Sequence, residues 1–171
     1  DWVTTEAARN DAALAYRLDI NSVAVMGMSC GGNLALEAAR DPRVKALGMW
    51  NSGVWNSGEM RTGDGTLLVA TTKADLANVH SPTIYINGDI DPAKVNAADD
   101  VTRLGVPVFF GSRHNAGHAG TYSHANGGEF ANVAVAWLRW RLKGDAAAGR
   151  MFTGADCTLC RDPNWIVQRK G

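Results

Sequence analysis

Short continuous apolar runs alternate along this chain with longer stretches whose apolar residues recur at helical spacing. The first stretch, TTEAARNDAALAYRL, predicts a helix over 4–18 with Thr4 or Thr5 as its N-cap. NSVAVMG, from Asn21 to Gly27, is β-branched, apolar and closed by glycine, the pattern of a buried strand. GGNLALEAARD reads as a helix stopped near Asp41-Pro42, and VKALGMWNS as a second strand. Gly53 to Gly65, rich in Gly, Asn and Ser, predicts a loop, and TKADLANV a short helix. SPTIYINGD is a third strand, PAKVNAADDVTRL a helix with Pro92 in its first turn, and VPVFFGS a fourth strand. GGEFANVAVAWLRWRLKG is the strongest helix: Phe130, Val133, Trp137, Leu138 and Leu142 share a face, and Gly144 ends it.

One helix followed by four strand–helix repeats predicts an α/β domain with a mostly parallel sheet and helices on both faces. The whole chain, 1–171, reads as that single domain, with 145–171 as a polar tail. Sites in such sheets lie at the carboxyl ends of the strands. Those ends fall just after Gly27, Trp50, Gly88 and Gly111.

Composition narrows the function classes. Hydrophobic residues are 46% of the 171 positions and charged residues 20%, the balance of a soluble globular domain. Lys plus Arg and Asp plus Glu each number 17, and no basic stripe is present, so nothing favours nucleic acid or an anionic membrane. No apolar run reaches the ~18 residues of a membrane span. The chain opens on Asp1-Trp2 without a signal peptide, which is no argument for the cytoplasm. Cys157 and Cys160 form CTLC, which reads as a small disulfide, half a zinc site or a redox pair. No histidine lies near it and no strand–helix context surrounds it, so a local disulfide leads, ahead of free thiols.

The strand ends hold the candidate chemistry. Gly27-Met28-Ser29-Cys30-Gly31 is a G-x-S-x-G match between a strand and a helix, the setting of a nucleophile elbow. The alternative is a glycine-rich turn with a passive serine. Ser29 occupies the strained centre; Cys30 begins the helix, so its expected part is a backbone N–H for an oxyanion and a small buried side chain. After the third strand, NGDIDPA offers Asp89 and Asp91; Asp91 is far enough past Gly88 to turn toward the serine, while Asp89 suits a turn. After the fourth, GSRHNAGHAGTYSH offers His114, His118 and His124, of which His118, among small neighbours, is the preferred base. His124 reads as a cap for the last helix. A metal site of the three histidines is the rival constellation, with no helix to align them. Met28, Trp50 and Trp55 are the candidate substrate-pocket residues, and Trp137 and Trp140 read as packing.

GMSCGG, GDIDP and AGHAG, in this order and at strand ends, resemble the α/β-hydrolase superfamily. Within it the chain is similar to secreted lipase, polyesterase and dienelactone-hydrolase-like esterases, also through AWLRWRLKGDAAAGRMFTGADC, a Trp-rich helix followed by an acidic residue, an aromatic and a disulfide cysteine. The resemblance implies Ser29 as nucleophile, Asp91 as acid and His118 as base, hydrolysing carboxylic esters through an acyl-enzyme without a cofactor. The substrate would be a small-molecule or polymeric ester, with an apolar or aryl group near Trp55, and the protein secreted or periplasmic. In that family the elbow follows the fifth of eight strands, and the loop after the third strand supplies a second oxyanion donor. Here one predicted helix precedes the elbow, so the chain is expected to correspond to the C-terminal part of such a domain, and to be poorly active and poorly stable alone. The alternatives are a non-catalytic module on the same fold and a serine peptidase.

Overall fold

The computed structural model describes residues 1–9, 13 and 17–171. In chain order the elements are α1 (Trp2–Ala8), β1 (Val23–Met28), α2 (Cys30–Ala38), β2 (Val44–Trp50), β3 (Met60–Arg61), β4 (Leu67–Val69), β5 (Thr83–Gly88), α3 (Ala93–Arg103), β6 (Val108–Arg113), α4 (Gly128–Lys143), α5 (Ala146–Gly149), α6 (Thr158–Arg161) and β7 (Trp165–Lys170). Short 3-10 turns at Lys73–Asn78 and Ala125–Gly127 join them.

An open five-stranded sheet in the order β1-β2-β5-β6-β7 organises the chain. The first four are parallel and β7 is antiparallel to β6, Trp165 standing opposite Arg113. The continuous apolar runs are explained by two covered faces, because alternate residues of a strand serve opposite sides. Met49, Tyr85 and Phe110 join Leu36 of α2 and Val101 of α3 in one core. Their neighbours Trp50, Ile86 and Phe109 join Phe130, Val133 and Trp137 of α4 in the other.

Three expectations are corrected. The first helix begins at Trp2 after Asp1, so Thr4 lies inside it and its hydroxyl donates back to the Asp1 carbonyl at 2.7 Å. It ends at Ala8; within the rest of the stretch expected to be helical, residues 10–12 and 14–16 lie outside the described residues. The loop over 53–65 contributes to a two-stranded ribbon, β3–β4. The tail is ordered structure: β7 extends the sheet, and Phe152, Cys157, Leu159 and Trp165 are all buried in the α4-side core. The Cys157–Cys160 disulfide is formed there. Among the described residues no helix is long and apolar enough to cross a membrane.

Candidate functional site

β1 leads directly into α2 through Ser29, which holds φ +55° and ψ −125°. That backbone is strained for a residue with a side chain. Three hydrogen bonds clamp it: the Ser29 N–H donates to the Trp50 carbonyl at 3.0 Å, and the Ser29 carbonyl accepts from the Gly32 N–H at 2.9 Å and the Ser52 hydroxyl at 2.8 Å. The turn is possible because Gly27 has no side chain; a Cβ there would overlap the Gly31 carbonyl.

The imidazole of His118 sits between Ser29 and Asp91. Its Nδ1 is 3.0 Å from Asp91 Oδ1 and its Nε2 is 2.9 Å from Ser29 Oγ. An ionised carboxylate only accepts, so Nδ1 carries the proton and Nε2 is left to accept from the serine hydroxyl. Asp91 is fully buried at its side chain, whereas that of His118 is 45% exposed. The chain of hydrogen bonds therefore runs from a dry anchor to an open end.

Asp91 is held on several sides. Its Oδ1 also accepts from the Ala93 N–H at 2.9 Å, at the start of α3. Its Oδ2 accepts from Asn51 Nδ2 at 2.7 Å and from Asn87 Nδ2 at 3.5 Å. Asn51, one residue past β2, has φ +44° and is completely buried. Its amide also donates to the Gly117 carbonyl at 3.2 Å, beside His118, and its Oδ1 accepts from the Tyr122 hydroxyl at 2.8 Å. Burial, and secondarily the Asp91 charge, hold the Tyr122 phenol protonated far above its ordinary range. Asn51 and Tyr122 were not singled out in the sequence; the usable signal was an asparagine at a strand end, the residue type that best tolerates positive φ.

Asp89 and His114 form a second, separate pair, Oδ2 to Nδ1 at 2.9 Å. The His114 hydrogen bond lowers the Asp89 carboxyl below its usual range. The pair ties the β5 end to the β6 end and does not reach Ser29. His124 is exposed at the start of the 3-10 turn before α4, and its side chain makes no capping bond. Among the described residues no three His, Cys, Asp or Glu side chains are gathered as metal ligands.

A cleft of about 240 Å3 opens beside the Ser29–His118 contact, walled by Trp55, Pro92, Ala93, Asn96 and Asn33. Cys30 lines it and is half-buried, where a small buried side chain was expected. Trp55, 40% exposed, is at the cleft, but Met28 and Trp50 are not. Strand alternation turns Trp50 to the α4 face, where it and Met28 border a neighbouring depression. The cleft floor is pinned from below. Buried Asp100 accepts from the Val54 N–H at 2.8 Å, the Tyr85 hydroxyl at 3.2 Å and Lys73 Nζ at 2.5 Å. Burial raises the Asp100 carboxyl to about 6 despite these donors.

No protein-family model and no curated protein matches this sequence.

Proposed function

We propose that this chain is a serine hydrolase of the α/β-hydrolase type that cleaves carboxylic esters through an acyl-enzyme. The observation that carries the reading is the unbroken sequence of hydrogen bonds from buried Asp91 through His118 to Ser29, with Ser29 in strained backbone geometry on a strand-to-helix turn. In the proposed reaction Ser29 Oγ bonds to the ester carbonyl carbon while its proton passes to His118 Nε2. Asp91 steadies the imidazolium by accepting from Nδ1. The Cys30 N–H, in the first turn of α2, is the assigned donor to the oxyanion. Collapse breaks the bond to the alcohol, which leaves with the proton from Nε2. Water, deprotonated by the same nitrogen, then releases the acid and restores Ser29. No cofactor enters these steps.

The cleft supports a neutral substrate with a small apolar or aryl group, because no Asp, Glu, Lys or Arg lines it and Trp55 forms one wall. We also place the chain as the C-terminal portion of a larger sheet. Among the described residues β1 pairs with β2 alone, and Leu18 and Ile20, leading into that strand, are 38% and 37% exposed. Strands pairing with the free edge of β1 would bring the second oxyanion donor, and a chain extended upstream should turn over esters roughly 10²–10³ times faster.

The test is labelling by a fluorophosphonate together with p-nitrophenyl ester turnover. Both should be present in the parent, in the extended chain if not in the shorter one, and absent in Ser29→Ala. Absence of labelling in both lengths would replace the enzyme with a non-catalytic module, and amide turnover matching ester turnover would make it a peptidase.

A further inference from the structure

One wall of the Ser29 cleft is the loop after β2, with Gly53 and Trp55; another is the start of α3, with Pro92, Ala93 and Asn96. The two meet where a Cβ on Gly53 would fall 2.4 Å from the Ala97 nitrogen. Beneath them Asp100 of α3, fully buried, joins both walls. Its Oδ2 accepts from the Val54 N–H at 2.8 Å, between the two loop residues that line the cleft, and from the Tyr85 hydroxyl of β5 at 3.2 Å. Its Oδ1 accepts from Lys73 Nζ at 2.5 Å. The same ammonium reaches the Asn96 carbonyl at 3.0 Å and Asp99 at 2.8 Å. Loop, strand and 3-10 turn are thus fastened to α3 through one carboxylate.

A packed apolar side chain at this position would hold the core without the desolvation cost of a buried charge. What the carboxylate adds is direction. It takes an N–H, an O–H and an ammonium from three separate segments, and each bond fixes a distance between its segment and α3.

We propose that Asp100 and Lys73 are positioning residues that hold the cleft narrow, so that this buried pair limits the size of the ester group admitted beside Ser29. The inference rests on the reading of Ser29 as an ester-cleaving nucleophile. The pair also makes the size limit depend on pH. Burial raises the Asp100 carboxyl to about 6, against the pull of Lys73, Val54 and Tyr85. Around it, Asp99 stays ionised, held down to about 2 by Arg103 and Lys73, and Tyr85 stays protonated, its phenol raised by burial and by the Asp100 charge. Above about 6 the ionised carboxylate accepts from all three donors. Below it, the added proton needs an acceptor of its own and the attraction for Lys73 weakens, so the walls loosen and larger groups enter.

The test is the ratio of kcat/KM between a large and a small ester on the same enzyme, in which the pH dependence common to both esters cancels. Two series locate the group in the cleft: p-nitrophenyl octanoate against the acetate varies the acyl half, and octyl against methyl acetate varies the alcohol half. In one of them the large-to-small ratio should rise at least roughly tenfold as pH falls from about 8 to about 5, with its midpoint near 6. Asp100→Asn should hold that ratio high and flat across the range. Lys73→Met, which removes the cation that opposes burial, should move the midpoint to higher pH. A merely structural role would lower the melting temperature of the variants and leave the parental ratio without a pH step. A ratio flat with pH in the parent in both series, or a step unmoved by either substitution, overturns the proposal while leaving ester hydrolysis at Ser29 intact. Absence of turnover of every ester overturns the Ser29 reading itself, and this inference with it.

Discussion

Removing the Asn51 side chain should slow the proposed reaction without unfolding the protein. The suitable variant is Asn51→Gly. At φ +44° an alanine would add ~1–2 kcal/mol of left-handed strain, whereas glycine adopts that backbone freely and isolates the loss of the amide. The lost bond is the 2.7 Å donation to Asp91 Oδ2, from a fully buried donor to a fully buried carboxylate. What remains on that oxygen is Asn87 at 3.5 Å, a poor contact. A hydrogen bond to a charged group contributes ~1.5–3 kcal/mol, and if half or more of it serves to aim Asp91 at His118, kcat/KM falls about 4- to 160-fold. The loss should fall on kcat, because the imidazole is displaced while the Trp55 wall is untouched. Asn51→Asp, similar in size and tolerant of the same φ, sets a second carboxylate against Asp91 and should cost more. Initial rates on a p-nitrophenyl ester across substrate concentration, beside a thermal melt, read both effects. Asn51→Gly within about twofold of the parent in kcat/KM, with an unchanged melt, would refute the positioning role.

Gly27→Ala forces the elbow apart at the Gly31 carbonyl; it should cost about 1–3 kcal/mol, several degrees of melting temperature, and at least ~10-fold in ester turnover. Cleaving the Cys157–Cys160 bridge, which closes a very short loop, should cost about 2 kcal/mol and leave turnover unchanged, as melts and rates with and without reductant will show. The Asp100 carboxyl is raised to about 6 in the folded state, so its contribution to stability is fully present below its unfolded value near 4 and is lost as pH rises through 6. Melting temperature followed over that window should show this decline in the parent and a flatter profile in Asp100→Asn, where Lys73 keeps its 2.8 Å pairing with Asp99.

Much of the fold was legible because the central strands are apolar on both faces. A run such as VPVFF can be buried only between two layers, and Phe109 and Phe110 do serve opposite cores. WIVQRK was not readable the same way. It is an edge strand with one buried anchor, Trp165, and a polar remainder, so its pattern is that of a tail. Its pairing comes from the sheet: β6 offers a free edge, and the short helices after α4 return the chain there. Met28 and Trp50 stand at the neighbouring depression and not at the cleft beside Ser29 for a related reason. Proximity to a strand end does not say which face a side chain takes, and the alternation that points Met49 to one core points Trp50 to the other.

The carboxylates and histidines show how distance past a strand end can sort partners. β5 and β6 run parallel with Gly88 beside Arg113, so the next residues along, Asp89 and His114, meet each other. They are taken up by the sheet's own register and have no reach left toward β1. Asp91 and His118 lie farther out, where the chain has turned, and there the β2 end becomes reachable as well. That is where Asn51 stands. It binds the carboxylate and the Gly117 carbonyl with one amide, and so fastens the acid-bearing turn to the histidine-bearing loop. Counting residues past each strand therefore separates the two pairs. It cannot reveal Asn51, whose importance comes from β2 lying between β1 and β5 in the sheet, and strand order is set by tertiary pairing that a single sequence does not display.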